Sequence, residues 1–130
     1  MTPEQLFQAA QAARNKAYAP YSGYRVGAAL LCADGSVYEG CNIENSAYSP
    51  TLCAERTAFA RALFDGKRTF TAIAICGGKE NTSAPCPPCG VCRQVMSEFC
   101  GPDFMIYVSD EQNGHAAYTL DQLLPLQFTL

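Results

Sequence analysis

The chain has 130 residues, of which 48% are hydrophobic and only 16% are charged. This length fits one domain with its own core, so we expect a single domain over residues 1–130. The net charge of −3 gives no attraction to nucleic acid polymers, and no apolar run is long enough to span a bilayer. The charged fraction lies below the usual value of about 25%, which predicts that part of the surface is buried in an oligomer.

Hydrophobic periodicity and turn residues predict nine elements in the order α-β-β-α-β-α-β-β-α. The first helix is predicted to begin at Pro3. Thr2 precedes it and Gln5 lies in its first turn, which is the spacing of a capping box. The other elements are strands at 25–33 and 37–43, a helix at 52–66, a strand at 70–76, a helix at 87–100, strands at 104–110 and 116–120, and a helix at 120–124. This order predicts an α/β fold with three layers, α-β-α, around a mixed sheet of about five strands.

The eight cysteines are interpreted as reduced thiols rather than as a disulfide framework. The polar first segment lacks the pattern of a secretion signal, and a chain of this length can form a core without disulfides. We therefore expect a cytoplasmic location. Cys32, Cys76 and Cys100 lie in or beside apolar stretches and are expected to be small buried hydrophobic residues.

Three other cysteines indicate a metal site at the heads of two helices. Cys53 stands where the second helix begins, and Cys86 and Cys89 flank the predicted start of the third. The helix dipole and the unpaired N–H groups at such positions lower the pKa of a thiol and favour the thiolate that binds metal. If the two helix heads meet, three thiolates converge and leave a tetrahedral zinc one ligand short.

The candidates for a fourth ligand are Cys92, Cys41 and His115. Cys92 is predicted to lie almost one turn above Cys89, away from the helix head, and is interpreted as a core residue. His115 follows a turn and is interpreted as an exposed turn residue. An open fourth position is typical of a catalytic zinc site, whereas a fourth protein ligand makes the site structural.

Glu55 lies two residues after Cys53, in the first turn of the same predicted helix. A carboxylate at this place is close to a bound metal and can transfer protons. For an isolated glutamate, a favourable interaction with the helix dipole would be the better explanation. The pairing of C-x-E with a later P-C-x-x-C favours the role in proton transfer.

The pattern formed by "CAE" at Cys53–Glu55 and "PCPPC" at Pro85–Cys89 resembles the signature of the zinc-dependent cytidine deaminase superfamily. The segments "YAPYSGYRVGAAL", "GCNIENSAYSPTLCAERTA", "PCPPCGVCRQV" and "LLPLQF" extend the resemblance to the small nucleoside-type members over nearly the whole chain. The resemblance implies hydrolytic deamination of cytidine and deoxycytidine in pyrimidine salvage. It also implies a five-stranded mixed sheet between helices and a homotetramer.

The resemblance further implies roles for individual residues. One zinc per chain would be held by Cys53, Cys86 and Cys89, and Glu55 would carry protons. The implied substrate contacts are Asn42 and Glu44 at the ribose, Tyr24 and Ala54, and Phe128 from a neighbouring subunit. Tyr24 stands where the family often has phenylalanine.

Three thiolates give a bound Zn²⁺ a net charge of −1, which opposes the ionisation of water. The heads of two helices supply part of the compensating positive charge. Arg56 follows Glu55 and is expected to donate hydrogen bonds to the sulfurs rather than to face solvent.

Two other functions fit the same motifs. A nucleoside-antibiotic deaminase of the blasticidin type shares the size and the signature, although the pair Asn42 and Glu44 favours cytidine. A structural zinc module without activity would have a closed four-ligand site that includes Cys92. Editing of polynucleotides is disfavoured because the chain is acidic and has no basic stripe.

Overall fold

The computed structural model describes all 130 residues and contains nine helices and strands in the predicted order. They are α1 (Pro3–Arg14), β1 (Tyr24–Cys32), β2 (Val37–Cys41), α2 (Ala54–Phe64), β3 (Phe70–Lys79), α3 (Gly90–Phe99), β4 (Met105–Ser109), β5 (His115–Thr119) and α4 (Leu120–Leu123). The predicted capping box of α1 is present, with Thr2 Oγ1 accepting from the Gln5 N–H at 3.2 Å. None of the helices combines the length and the apolar character needed to cross a bilayer.

The five strands form one mixed sheet in the order β2-β1-β3-β4-β5. Strands β3 and β4 run parallel, and the other neighbouring pairs are antiparallel. Strand β3 lies in the centre and is buried over most of its length, as its continuous apolar run predicts. The predicted mixed five-stranded sheet is confirmed.

Helices cover both faces of the sheet and give the predicted three layers. On one face α1 packs on β1 and β3, and the buried residues are Leu6, Phe7, Ala10, Ala29, Ala72, Ala74 and Cys76. The other face carries α2, α3 and α4, and its largest buried residues include Leu30, Phe59, Ile73, Ile75, Met96, Ile106 and Leu120. Alternate residues of β1 and β3 point to the two faces, as the period of a strand requires.

Helix α2 lies directly against β2 because Gly40 has no side chain. A Cβ at Gly40 would collide with the backbone of Ala54 and Ala58. Ala54, the first residue of α2, is fully buried at this contact. The head of α2, with Cys53 before it and Glu55 after it, is therefore held tightly against the sheet.

Helix α3 begins at Gly90, three residues later than predicted, and Cys89 is its N-cap with an extended backbone. The two prolines before Cys89 explain the difference. A residue that precedes proline is disfavoured in the helical region, so Pro87 does not start a helix ahead of Pro88. The later start makes Cys92 the third residue of the helix.

Candidate metal centre and active site

Three thiols meet where the heads of α2 and α3 approach each other. The Sγ atoms of Cys53, Cys89 and Cys92 all lie within 4.8 Å of one another. Cys53 and Cys89 are the N-caps of α2 and α3, and neither side chain caps its own helix by a hydrogen bond. Their sulfurs are therefore available to a metal.

The group includes Cys92 and not Cys86, so the predicted ligand set is wrong in one member. Side chains in a helix point back toward its N-terminus. Because Cys92 is the third residue of α3, its sulfur returns to the helix head beside Cys89 instead of lying a turn above it. Cys92 is a buried core residue, as predicted, but its sulfur lies at the helix head and not away from it.

Cys86 precedes α3 and packs against Gly77 of β3 instead. A Cβ added to Gly77 would lie 2.5 Å from the Cys86 Sγ and 3.2 Å from Tyr24 Cε1, so these two side chains share the space above Gly77. Burial, with the charge of Glu55 adding to it, raises the pKa of the Cys86 thiol to about 12. Cys86 therefore packs beside Tyr24, and its sulfur lies outside the three-thiol group.

The geometry of the three thiols fits zinc. Tetrahedral coordination with Zn–S bonds of about 2.3 Å places two sulfurs about 3.8 Å apart, and the Cys53 and Cys89 sulfurs lie 3.7 Å apart. The group contains no fourth His, Cys, Asp or Glu. A zinc held by these thiols would keep one position open, as in catalytic sites.

The other two candidates for a fourth ligand lie elsewhere. Cys41 ends β2, and its Sγ is 3.4 Å from the carbonyl oxygen of Lys16. His115 begins β5 and packs on Phe7 with ring centroids 5.3 Å apart. The interpretation of His115 as an exposed turn residue is wrong, because the strand starts one residue earlier than predicted and directs the ring onto α1.

Arg56 brings positive charge to the thiols. Its Nη2 donates to the Cys53 Sγ at 3.5 Å and to the carbonyl oxygen of Thr51 at 3.2 Å, and its Nε is buried without a partner. A hydrogen bond from the Cys92 thiol, with further bonds from Arg56 and Cys89, lowers the pKa of Cys53 to about 5. The same contact with Cys53 raises the pKa of Cys92. A negative charge is thus already stabilised at the place where a metal would need thiolates.

Arg56→Gln is expected to weaken zinc retention about ten- to a hundredfold, the usual cost of losing a group that supports metal ligands. The reason is that thiolate charge would lose its compensation. Competition with a chelator measures the effect, and Arg61→Gln at the end of the same helix is the control. If zinc retention stays at the wild-type level while KM rises sharply, Arg56 is a substrate contact.

Glu55 lies beside the thiols in the first turn of α2 and is only 4% exposed. Burial raises the pKa of its carboxyl to about 7, and the negative charge of Cys53 acts in the same direction. A carboxyl with this pKa exchanges protons readily near neutral pH. Glu55 is therefore the group in the site that is best suited to carry protons.

Asn42 joins the start of β1 to the loop that follows β2. The Val26 N–H donates to Asn42 Oδ1 at 2.9 Å, and Asn42 Nδ2 donates to the Tyr24 carbonyl at 2.8 Å. These bonds leave one N–H and one lone pair of the amide free. Asn42 thus fixes the backbone of Tyr24 and keeps some capacity for a ligand.

Glu44 is held as a carboxylate by the loop before β1. Its Oε1 accepts from the Tyr21 and Ser22 N–H groups at 3.0 and 3.1 Å, and its Oε2 accepts from Ser22 Oγ at 2.5 Å. The Ser22 hydroxyl, followed by these backbone bonds, lowers the pKa of Glu44. The Glu44 side chain borders a cavity of about 450 Å³. The other lining residues are Tyr21, Ser22, Asn45, Tyr48 and Thr51.

The remaining predicted contacts are placed differently. Ala54 is fully buried between α2 and β2, so it offers no exposed surface to a ligand. Phe128 has an exposed side chain, and its carbonyl accepts from Gln94 Nε2 of α3 at 3.1 Å. Neither the cavity at Glu44 nor a larger one of about 800 Å³ beside the end of α1 is lined by the three thiols, so chemistry and not volume identifies the metal site.

Residues 1–108 match the model of the family described as the cytidine and deoxycytidylate deaminase zinc-binding region. The chain therefore belongs to this family of zinc-binding deaminases, which confirms the resemblance found in the sequence.

Individual relatives agree with this assignment. The chain is 48% identical to a cytidine deaminase of Sporosarcina psychrophila over 99% of its own length and 93% of the relative's. A crystal structure of cytidine deaminase from Burkholderia pseudomallei matches with a TM-score of 0.91 at 46% identity, covering 98% of this chain and 100% of the other. A blasticidin-S deaminase of Bacillus cereus is more distant, at 30% identity over 82% of this chain and 78% of that protein.

Proposed function

We propose that the protein catalyses the zinc-dependent hydrolysis of cytidine and deoxycytidine to uridine and deoxyuridine with release of ammonia, a reaction of pyrimidine salvage. The observation that carries the proposal is the three-thiol group beside the buried carboxyl of Glu55. The 48% identity to a cytidine deaminase supports cytidine over blasticidin S, whose deaminase is only 30% identical.

In the proposed reaction, zinc held by Cys53, Cys89 and Cys92 would supply a Lewis acid that activates water. Glu55 accepts a proton from the water that attacks C4 of the pyrimidine and delivers it to N3. The same carboxyl then moves the proton of the hydroxyl added at C4 to the amino group, which leaves as ammonia while the C4–oxygen bond becomes the carbonyl of the product. The burial of Glu55 keeps these transfers away from bulk water.

The ribose is proposed to bind at Glu44 and Asn42. The hydrogen bonds from Ser22 and from the backbone N–H of Tyr21 lower the pKa of Glu44 and so favour its carboxylate form. A carboxylate accepts hydrogen bonds from hydroxyl groups, and Asn42 has a free N–H and a free lone pair that suit the neighbouring hydroxyl. Asn42 Nδ2 donates to the Tyr24 carbonyl and so holds the backbone of Tyr24, whose ring offers an aromatic face to the nucleoside.

Glu44→Gln is expected to raise KM for cytidine about tenfold with a smaller change in kcat. A hydrogen bond to a charged group contributes about 1.5–3 kcal/mol, and glutamine keeps the oxygen that caps the loop while losing the charge. Steady-state kinetics measure the change, with the surface variant Glu39→Gln as the control. Unchanged KM would remove Glu44 from the ribose site.

The decisive test of the activity follows the fall in ultraviolet absorbance when cytidine, deoxycytidine and blasticidin S are each incubated with the protein. We expect turnover of the two nucleosides, loss of activity after chelation, and recovery when zinc is added. Turnover of blasticidin S alone would support the antibiotic deaminase. No turnover of any of the three would favour the structural zinc module.

We also propose a homotetramer in which neighbouring chains complete each site. The support is the low charged fraction and a set of exposed large apolar residues, Tyr48, Phe64, Leu126, Phe128 and Leu130. Because the thiol site depends on reduced cysteines, a cytoplasmic location suits it.

Phe128→Ala is expected to reduce kcat/KM for cytidine at least tenfold, because each site would lose an aromatic contact from a neighbouring chain. Kinetics combined with sedimentation measure both activity and assembly, and Tyr118→Ala, which removes an exposed ring outside that set, is the control. A wild-type monomer with full activity under assay conditions would contradict the shared site.

A further inference from the structure

The hydroxyl of Ser109 joins three segments of the chain at the ends of β3 and β4. Ser109 is the last residue of β4 and is only 2% exposed. Its Oγ donates to the Ala84 carbonyl at 2.7 Å and accepts from the Gly77 N–H of β3 at 3.2 Å. The Ala84 N–H in turn donates to the Gly77 carbonyl at 3.0 Å. One buried hydroxyl thus ties the ends of β3 and β4 to residue 84.

Residue 84 starts the short segment that leads to the metal-binding head of α3. Only four residues separate Ala84 from Cys89, and three of them are Pro85, Pro87 and Pro88, whose rings fix φ. A displacement at Ala84 is therefore passed on to Cys89 instead of being absorbed. Between them, Cys86 fills the space above Gly77, which has room for its sulfur only because glycine lacks a Cβ.

We propose that Ser109 is a positioning residue for the zinc site, which it serves by fixing the segment 84–88 against β3. This inference rests on the proposed zinc site at Cys53, Cys89 and Cys92. Ser109 contacts neither the thiols nor the substrate in this account; it acts through the segment that carries Cys89.

The consequence of losing the hydroxyl follows from its partners. Ser109→Ala leaves the Gly77 N–H without a partner in a buried place, and the Ala84 carbonyl loses the hydroxyl that donates to it. An unpaired buried donor is unfavourable, so the segment is expected to move until water reaches it. That movement shifts Cys89 and Cys92 relative to Cys53, and zinc geometry tolerates little such change.

The test uses zinc-loaded protein and measures the rate of zinc release to excess chelator, together with kcat and KM for cytidine. Ser109→Ala is expected to release zinc about tenfold faster, the lower end of the effect of groups outside the ligand set. The fall in kcat should be of similar size, with little change in KM. Ser109→Thr keeps the hydroxyl and should restore the slow release. Ser97→Ala is the control, since it removes a hydroxyl bond to the Gln94 carbonyl on α3 itself.

Zinc release at the wild-type rate from Ser109→Ala would overturn the inference, even if its melting temperature falls. Failure of Ser109→Thr to restore slow release would also overturn it. If Ser109→Ala does not fold, Gly77→Ala displaces the same segment by pressing a Cβ against Cys86: faster release supports the inference and wild-type release contradicts it. Wild-type protein that binds no zinc would overturn the proposed function itself, whereas normal wild-type binding with an unaffected Ser109→Ala overturns only the positioning role.

Discussion

Glu55→Gln is expected to fold and to retain one zinc per chain while losing nearly all deaminase activity. Glutamine keeps the shape of the buried side chain but cannot accept and deliver protons. General acid–base catalysis contributes about a hundred- to ten-thousandfold to rates, and here one carboxyl serves two transfers. We therefore expect kcat to fall at least about a thousandfold.

Zinc analysis and kinetics on the same preparation measure this prediction. Glu98→Gln, an exposed glutamate on α3, is the matched control and should behave as wild type. Turnover by Glu55→Gln near the wild-type rate would remove Glu55 from the reaction. Loss of zinc in this variant would instead indicate that the carboxyl holds the metal.

Cys92→Ala is expected to lose most of its zinc and its activity, whereas Cys86→Ala is expected to keep both. Cys92 Sγ lies in the three-thiol group, and Cys86 packs on β3 outside it. Removing one of three thiolates leaves too few ligands for tight binding. Colorimetric determination of zinc per chain in the two variants measures the difference.

Cys100→Ala is the matched control, because it removes a thiol of the hydrophobic core away from the metal. We expect it to hold one zinc per chain, as Cys86→Ala does. If Cys86→Ala loses zinc and Cys92→Ala keeps it, the ligands are Cys53, Cys86 and Cys89, as predicted from the sequence. The group of Cys53, Cys89 and Cys92 would then not be the metal site.

The order of helices and strands could be predicted from the sequence because local patterns determine it. The capping box at Thr2 and the apolar run of β3 are signals that lie within a few residues. The prediction was less accurate at the ends of the elements. Strand β3 continues to Lys79, three residues beyond its predicted end. This extension brings in Gly77, which no apolar pattern marks and which holds Cys86 in place.

The choice between Cys86 and Cys92 was wrong because P-C-x-x-C occurs twice in "PCPPCGVC", starting at Pro85 and again at Pro88. The proline pair carries the signal that separates the two matches. Since a residue before proline avoids the helical region, the helix begins after Pro88. Cys89 and Cys92 then become the cap and the third residue of one helix, which present their side chains at its head.

Contacts between distant segments were beyond prediction from the sequence. The bonds of Asn42 to β1 and of Ser109 to residues 77 and 84 join positions 16 to 32 residues apart. Nothing local to Asn42 or Ser109 distinguishes them from other polar residues in loops and strand ends. His115 illustrates the same limit, because only the pairing of β5 with β4 shows that its ring packs on α1.

In the proposed site three thiolates hold a zinc whose fourth position stays open beside Glu55. X-ray absorption at the zinc edge measures this coordination, because sulfur and lighter atoms scatter differently. We expect three sulfur neighbours at about 2.3 Å and one oxygen or nitrogen at about 2.0–2.2 Å. Four sulfur neighbours would instead describe a closed structural site and would rule out the open position.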